Sequence, residues 1–336
     1  HQDADERFIK GISDRRFSSL IMAARNAEMG RKELQKFYDG HQRPFSLRPL
    51  DSEIYKSLYS CFTFNVPLLA CVFSAGTTFT ATLESLDSGA VKMLRDEDIH
   101  IHVDAALGGF ALALPEVREQ VGGLELADSV TIDGNKLGML PYPNAAVLFR
   151  DQSSRQQVLH DAPYLGALAP TIEGSRPGSH VAGLWAAMES VGTAGYRAWT
   201  RKILDFTQAL AKAIEATGEF QVLHEVHLNR IAFAPLPLKR QRRTEVNRLC
   251  ELIKKRFEDE SIFFVNTEDK LSGIKVLDEP WRRDQKDTPL VDIAALRLGV
   301  SSPLVQNGDI EDLTQRLGRH LAEARTELRK SNLEGA

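Results

Sequence analysis

The chain has 336 residues, 43% of them hydrophobic and 26% charged, with a formal net charge of −4. That is enough apolar material for one large α/β unit or two domains with ordinary cores. The small net charge, spread over interspersed acids and bases, argues against a nucleic acid or an anionic membrane as the main partner.

Three cysteines, Cys61, Cys71 and Cys250, give neither a disulfide framework nor the spacing of a zinc site, so no metal is expected. Residues 1–6 are polar, and no signal peptide or apolar run of about 18 residues appears. A cytoplasmic location is the expectation. The basic clusters at 239–243 and 281–283 read as solvated surface.

Residues 17–29 read as a helix with Leu20, Ala23 and Ala24 on one face, whereas 40–56 show no periodicity. From Val66 the pattern sharpens. Residues 66–73 form a near-continuous apolar run, as in a strand buried on both faces. Small and hydroxyl residues end it at Ser74-Ala75-Gly76-Thr77-Thr78, where a ligand can approach closely. A helix is expected at 88–97 and a strand at 99–103, ending on Asp104. Gly108-Gly109 permits a tight turn. Another strand, 130–132, leads to Lys136. A turn at Pro141-Tyr142-Pro143-Asn144 and an apolar run at 145–149 predict a hairpin.

Residues 151–170 read as loop-rich and 171–178 as a structured loop. A helix is expected at 179–191, and a long connector helix at 194–217, after Gly192. The second carries Trp199, Ile203, Phe206, Leu210 and Ile214 at helical spacing. The remainder has the pattern of a small α+β domain. Strands are expected at 221–223, 230–234, 261–265 and 294–300, helices at 244–258 and 310–331, and an irregular polar stretch at 266–290.

Two reactive groups stand at the ends of apolar runs: the carboxylate of Asp104 and the amine of Lys136. Strand ends are where an open α/β sheet presents its ligands. One carboxylate and one lysine suit a cofactor with a basic ring nitrogen and an aldehyde, which describes pyridoxal phosphate (PLP).

Four segments, in order, carry a resemblance. They are Gly76-Thr77-Thr78, His102-Val103-Asp104-Ala105-Ala106-Leu107-Gly108-Gly109, Asp128-Ser129 through Lys136, and Glu173-Gly174-Ser175-Arg176-Pro177-Gly178. With them the chain resembles the PLP-dependent amino-acid decarboxylases of fold type I. That group includes the aromatic amino-acid, tyrosine and glutamate decarboxylases, with sphingosine-phosphate lyase as a relative. The resemblance implies an α/β, transferase-like large domain with a mostly parallel seven-stranded sheet over residues 1–200. A connector helix and a small C-terminal α+β domain follow over 201–336.

By the same resemblance, Lys136 would form the internal aldimine and Asp104 would keep the ring nitrogen protonated. Ala106 would pack beneath the ring. Thr77, Thr78, Asp133, Asn135 and Ser175 would complete the cofactor site. The implied reaction is α-decarboxylation of an L-amino acid, aromatic and tyrosine first, in a homodimer with shared active sites. Some positions depart from the family pattern. Asn135 replaces the usual histidine before the lysine, Leu107 a common aromatic, and Glu84 stands for an aspartate. Upstream, Ser18-Ser19 is the remnant of the phosphate turn, with Arg15-Arg16-Phe17 where glycines are expected, and His41 is the candidate for a ring-stacking histidine. Two alternatives stay open: C–C cleavage of a phosphorylated amino alcohol, which the segments 107–110 and 173–178 allow, and a non-catalytic dimeric relative, which the missing phosphate turn and Asn135 motivate.

Overall fold

The computed structural model describes residues 70–86, 89–96, 98–156, 160–162, 167–169, 177–260, 266–268, 275–279 and 290–334. The expected helix at 17–29, Ser18-Ser19, His41 and the strand at 261–265 lie outside the described residues. The chain divides into two units. The first comprises 1–40, 49–77 and 83–200, and the second 41–48, 78–82 and 201–336.

In the first unit, strands β1 (Ala70–Ser74), β2 (His100–Ala105), β3 (Ser129–Asp133) and β4 (Ala145–Phe149) form a sheet in that order. β1, β2 and β3 are parallel, and β4 returns antiparallel to β3 as the hairpin pattern predicts. The fold is α/β with a mostly parallel sheet, and four of its strands lie in the described residues.

Alternation along these strands gives the sheet two unlike faces. Phe73, Ile101, Val103 and Ala105 point to one face and are buried. Helices α1 (Gly89–Asp96) and α2 (Pro115–Val121) contribute Val91, Leu94, Val117 and Val121 to this core. The opposite face carries His100, His102 and Asp104 from β2 and Ser129, Thr131 and Asp133 from β3. Val72 on that face is 61% exposed, so β1 is not buried on both faces as its apolar run predicts. Its neighbours on β2 and β3 are polar, so this face does not form a hydrophobic core.

Asp128 fixes where β3 starts. Its carboxylate accepts hydrogen bonds from Arg95 Nη1 (2.9 Å) and from the Ile101 amide (2.7 Å). The first residue of the lysine motif is therefore scaffold, tying α1, β2 and β3 together.

Residues 151–170, expected as loop, contain helix α3 (Gln152–Gln156) and an antiparallel pair, β5 (His160–Ala162) and β6 (Ala167–Ala169). Elements of three to five residues are too short to show a period. Helix α4 (Ser179–Ala216) is interrupted at Gly192, whose φ of 63° and ψ of 173° are not helical. The break falls where the sequence predicts it.

In the second unit, β7 (Phe220–Val222), β8 (Arg230–Pro235), β12 (Ala295–Gly299) and β9 (Asn266–Glu268) form an antiparallel sheet in the order β7-β8-β12-β9. Strands β10 (Lys275–Leu277) and β11 (Leu290–Asp292) pair separately. Thus the stretch 266–290, expected as irregular, contributes strands. The start of helix α5 (Arg243–Glu260) is tied to Asp278, whose backbone carbonyl accepts from the Arg243 amide and whose Oδ1 accepts from the Thr244 amide. Helix α6 (Asn307–Glu334) closes the chain, with Leu313, Leu317 and Leu321 buried. Among the described residues no helix is long and apolar enough to cross a membrane.

Candidate active site

Asp104 is the fifth residue of β2 and lies opposite Thr131 of β3 in parallel register. It is exposed, and its Oδ1 accepts a hydrogen bond from the Ala106 amide at 3.0 Å. Oδ2 faces no hydrogen-bond partner among the described residues. Its backbone carbonyl accepts from the Ala75 amide (2.9 Å), and the Ala75 carbonyl accepts from the Gly108 amide (3.0 Å). The small-residue end of β1 and the turn after β2 are thereby held together around Asp104.

Lys136 follows β3 on a tight loop. Its Nζ lies 3.1 Å from Asp133 Oδ2, with the lysine side chain 37% exposed and the aspartate 17%. The loop is closed at its neck by the Gly134 amide, which donates to the Asn144 carbonyl at 2.7 Å. Asn144 Nδ2 in turn donates to the His180 carbonyl at 3.1 Å. The glycines there are required by space. A Cβ on Gly138 would meet the Gly134 carbonyl oxygen at 2.5 Å and the Phe110 ring at 2.6 Å. A Cβ on Gly109 would meet Ile132 at 2.6 Å. Phe110, just after Gly108-Gly109, thus packs directly on the loop that bears Lys136. Tyr196 of α4 closes the stack, 5.0 Å from the Phe110 ring, and its hydroxyl donates to the Gly138 carbonyl at 3.3 Å.

The sheet face that carries Asp104 also holds a hydrogen-bonded ladder. His100 Nε2 and His102 Nδ1 lie 2.9 and 2.8 Å from Ser129 Oγ, and His102 Nε2 lies 3.1 Å from Thr131 Oγ1. Burial lowers the His102 pKa, with the Asp104 charge opposing that shift and His100 adding to it. Sequence reading treats His102 as a packed strand residue. Its partners lie 27 and 29 positions away, so no local signal could find them.

Glu84 Oε2 accepts from the Ser74 amide at 2.6 Å and so secures the end of β1. Thr77 belongs to the first unit and Thr78 to the second. Ala106 is half-buried, and Asn135 lies in the loop between Asp133 and Lys136. Ser175 and most of its motif, 173–176, lie outside the described residues.

The Pyridoxal-dependent decarboxylase conserved domain matches residues 13–235 of this chain. The chain belongs to the pyridoxal-dependent decarboxylase family. Among its curated relatives is a probable L-tyrosine/L-aspartate decarboxylase of Methanothermobacter thermautotrophicus. It is 33% identical over 174 residues, covering 49% of this chain and 47% of that protein. A probable L-aspartate decarboxylase of Pyrococcus abyssi is 31% identical over 180 residues, covering 50% and 46%. The chain spans about half the length of the curated relatives it matches.

Solved structures agree on the fold. Mouse CSAD in apo form superposes with a TM-score of 0.65 at 17% identity, over 81% of this chain and 56% of that one. Oryza sativa TDC with PLP and tryptamine gives 0.63 at 15% identity, over 83% and 53%. The architecture is therefore that of the fold-type-I enzymes.

PLP is the cofactor of this family, and the donor set fits it at two ends. Lys136 offers an amine for the aldehyde. Asp104 offers a carboxylate with one oxygen open for the ring nitrogen, and beside it the small side chain of Ala106 leaves room for a flat ring.

Proposed function

We propose that this chain carries out PLP-dependent α-decarboxylation of an L-amino acid, with Lys136 and Asp104 as its catalytic residues. The observation that supports it most is their placement at the ends of neighbouring parallel strands, facing the polar side of one sheet. PLP, when bound, supplies an electron sink for the bond that breaks at Cα.

The chain's own residues do the rest. Asp104 would hold a proton on the ring nitrogen through Oδ2, while the Ala106 amide keeps its other oxygen oriented. Asp133 Oδ2, 3.1 Å from Lys136 Nζ, holds the lysine side chain in place on its loop. The Phe110–Tyr196 stack keeps the lysine loop from drifting, and positioning of this kind lowers the barrier by removing orientational freedom. Thr77, Thr78, Ala106, Asn135 and Ser175 are proposed as further cofactor contacts, on the strength of their motifs.

An aromatic substrate, tyrosine first, follows from the motifs around Lys136. The relatives' names add L-aspartate, so both are proposed substrates. The family resemblance also supports a homodimer, which sedimentation equilibrium tests directly. The activity test is release of CO2 from L-tyrosine and L-aspartate by the PLP-loaded protein, with Lys136→Ala as control. CO2 formation that needs Lys136 supports the reading. Aldehyde release without CO2, or equal activity in the variant, overturns it.

A further inference from the structure

Two imidazoles of β2 share one hydroxyl of β3. His100 Nε2 and His102 Nδ1 lie 2.9 and 2.8 Å from Ser129 Oγ, which is buried. A serine hydroxyl carries one proton, so it donates to only one of the rings and accepts from the other. The far nitrogen of His102, Nε2, lies 3.1 Å from Thr131 Oγ1. Burial, the first cause of its lowered pKa, keeps the His102 ring neutral, with a single N–H.

These proton counts leave two arrangements, each the reverse of the other. In the first, Thr131 donates to His102 Nε2, His102 Nδ1 donates to Ser129, and Ser129 donates to His100 Nε2. In the second, His100 Nε2 donates to Ser129, Ser129 donates to His102 Nδ1, and His102 Nε2 donates to Thr131. The two differ in which nitrogen of each ring carries the proton.

Asp104 decides between them. It stands on the same face of β2, two residues from His102 and opposite Thr131 in register. Its negative charge opposes the effect of burial on the His102 ring. The second arrangement turns the N–H and O–H groups of the ladder towards the Asp104 end, and the first turns them away. An anion favours dipoles that present their positive ends to it, and hydrogen bonds in a chain polarise one another. The other charged strand residue on this face, Asp133, is paired with Lys136 at 3.1 Å. Val72, opposite His102 on β1, and Val147, opposite Thr131 on β4, carry no charge.

We propose that His100, Ser129, His102 and Thr131 form an oriented hydrogen-bond relay, and that His102 is a positioning residue for Asp104, turning the donor ends of the relay towards its carboxylate. The service of Asp104 to PLP rests on the reading above, but the direction of the relay does not.

Nitrogen-15 NMR of the full chain without cofactor, with its histidines labelled, reads the tautomers. His100→Gln and His102→Gln assign the two rings. The wild type should show His102 protonated at Nε2 and bare at Nδ1. In Asp104→Asn, with the charge gone, the His102 signals should move to the other tautomer or to an average of the two. A wild-type ring protonated at Nδ1, or a tautomer indifferent to Asp104→Asn, would overturn the proposal. The service to Asp104 is read from retention of PLP against its deaza analogue, which has carbon in place of the ring nitrogen. His102→Phe, a ring that cannot donate, should raise the dissociation constant for PLP about tenfold and leave that of the analogue within about twofold. Thr131→Val should act in the same direction, and Thr131→Ser should restore wild-type retention. Equal weakening of both ligands would mean a merely structural His102 and would contradict the positioning role. If the wild type holds neither ligand, the cofactor reading fails, and the tautomer result alone decides the relay.

Discussion

Lys136 Nζ lies 3.1 Å from Asp133 Oδ2, three residues back along the same tight turn. The pair is partly exposed, so it adds no more than about 1 kcal/mol to stability. Its consequence is positional. Asp133→Asn should leave the melting temperature within about 2 °C of wild type. The same variant should slow covalent attachment of pyridoxal phosphate to Lys136 about tenfold, because the amine is no longer held in position. Stopped-flow absorbance after mixing with the cofactor measures the rate.

Gly138 tests whether the lysine loop is a rigid part. A methyl group there has the Gly134 carbonyl oxygen at 2.5 Å and the Phe110 ring at 2.6 Å, and the first of these is backbone that cannot rotate away. Gly138→Ala should cost about 1–3 kcal/mol in stability. It should also lower the yield of pyridoxal attachment at Lys136. Denaturant melts and cofactor titration of the same preparation report both effects.

His224 gives the second unit a pH dependence. Its Nδ1 donates to the Glu225 carbonyl at 2.7 Å and its Nε2 accepts from the Ala232 amide at 2.9 Å, so the folded ring is neutral. Burial lowers its pKa to about 4, partly opposed by the hydrogen bond to Glu225. The unfolded chain takes up this proton near pH 6.5 and the folded chain only near 4. The stabilisation is therefore full above about pH 6.5 and is lost as the pH falls towards 4. Its upper bound is about 3 kcal/mol. Denaturant melts at pH 7 and pH 5 should differ in the wild type. That difference should shrink in His224→Gln, although the variant is less stable at both.

The parts of the site that were legible in the sequence are those whose signal is local. Asp104 and Lys136 each end an apolar run, and Gly192 interrupts a helical period at the position where α4 breaks. The hairpin at β4 announces itself through Pro141 and Pro143. What stayed hidden is non-local or short. The ladder from His100 through Ser129 and His102 to Thr131 exists only because β2 and β3 lie side by side. The packing of Phe110 and Tyr196 around Gly138 joins residues up to 86 positions apart, with no pattern in the intervening chain. Strands β5, β6, β9 and β10 have three residues each, below the length at which alternation can be read.

Reductive trapping tests the assignment of Lys136 most directly. The protein is incubated with pyridoxal phosphate, reduced with borohydride, digested and mapped by mass spectrometry. The site described above predicts one dominant modified peptide, carrying the phosphopyridoxyl group on Lys136, and its loss in Lys136→Ala with the fold intact by circular dichroism. Modification spread over surface lysines, with Lys136 unlabelled, would contradict it.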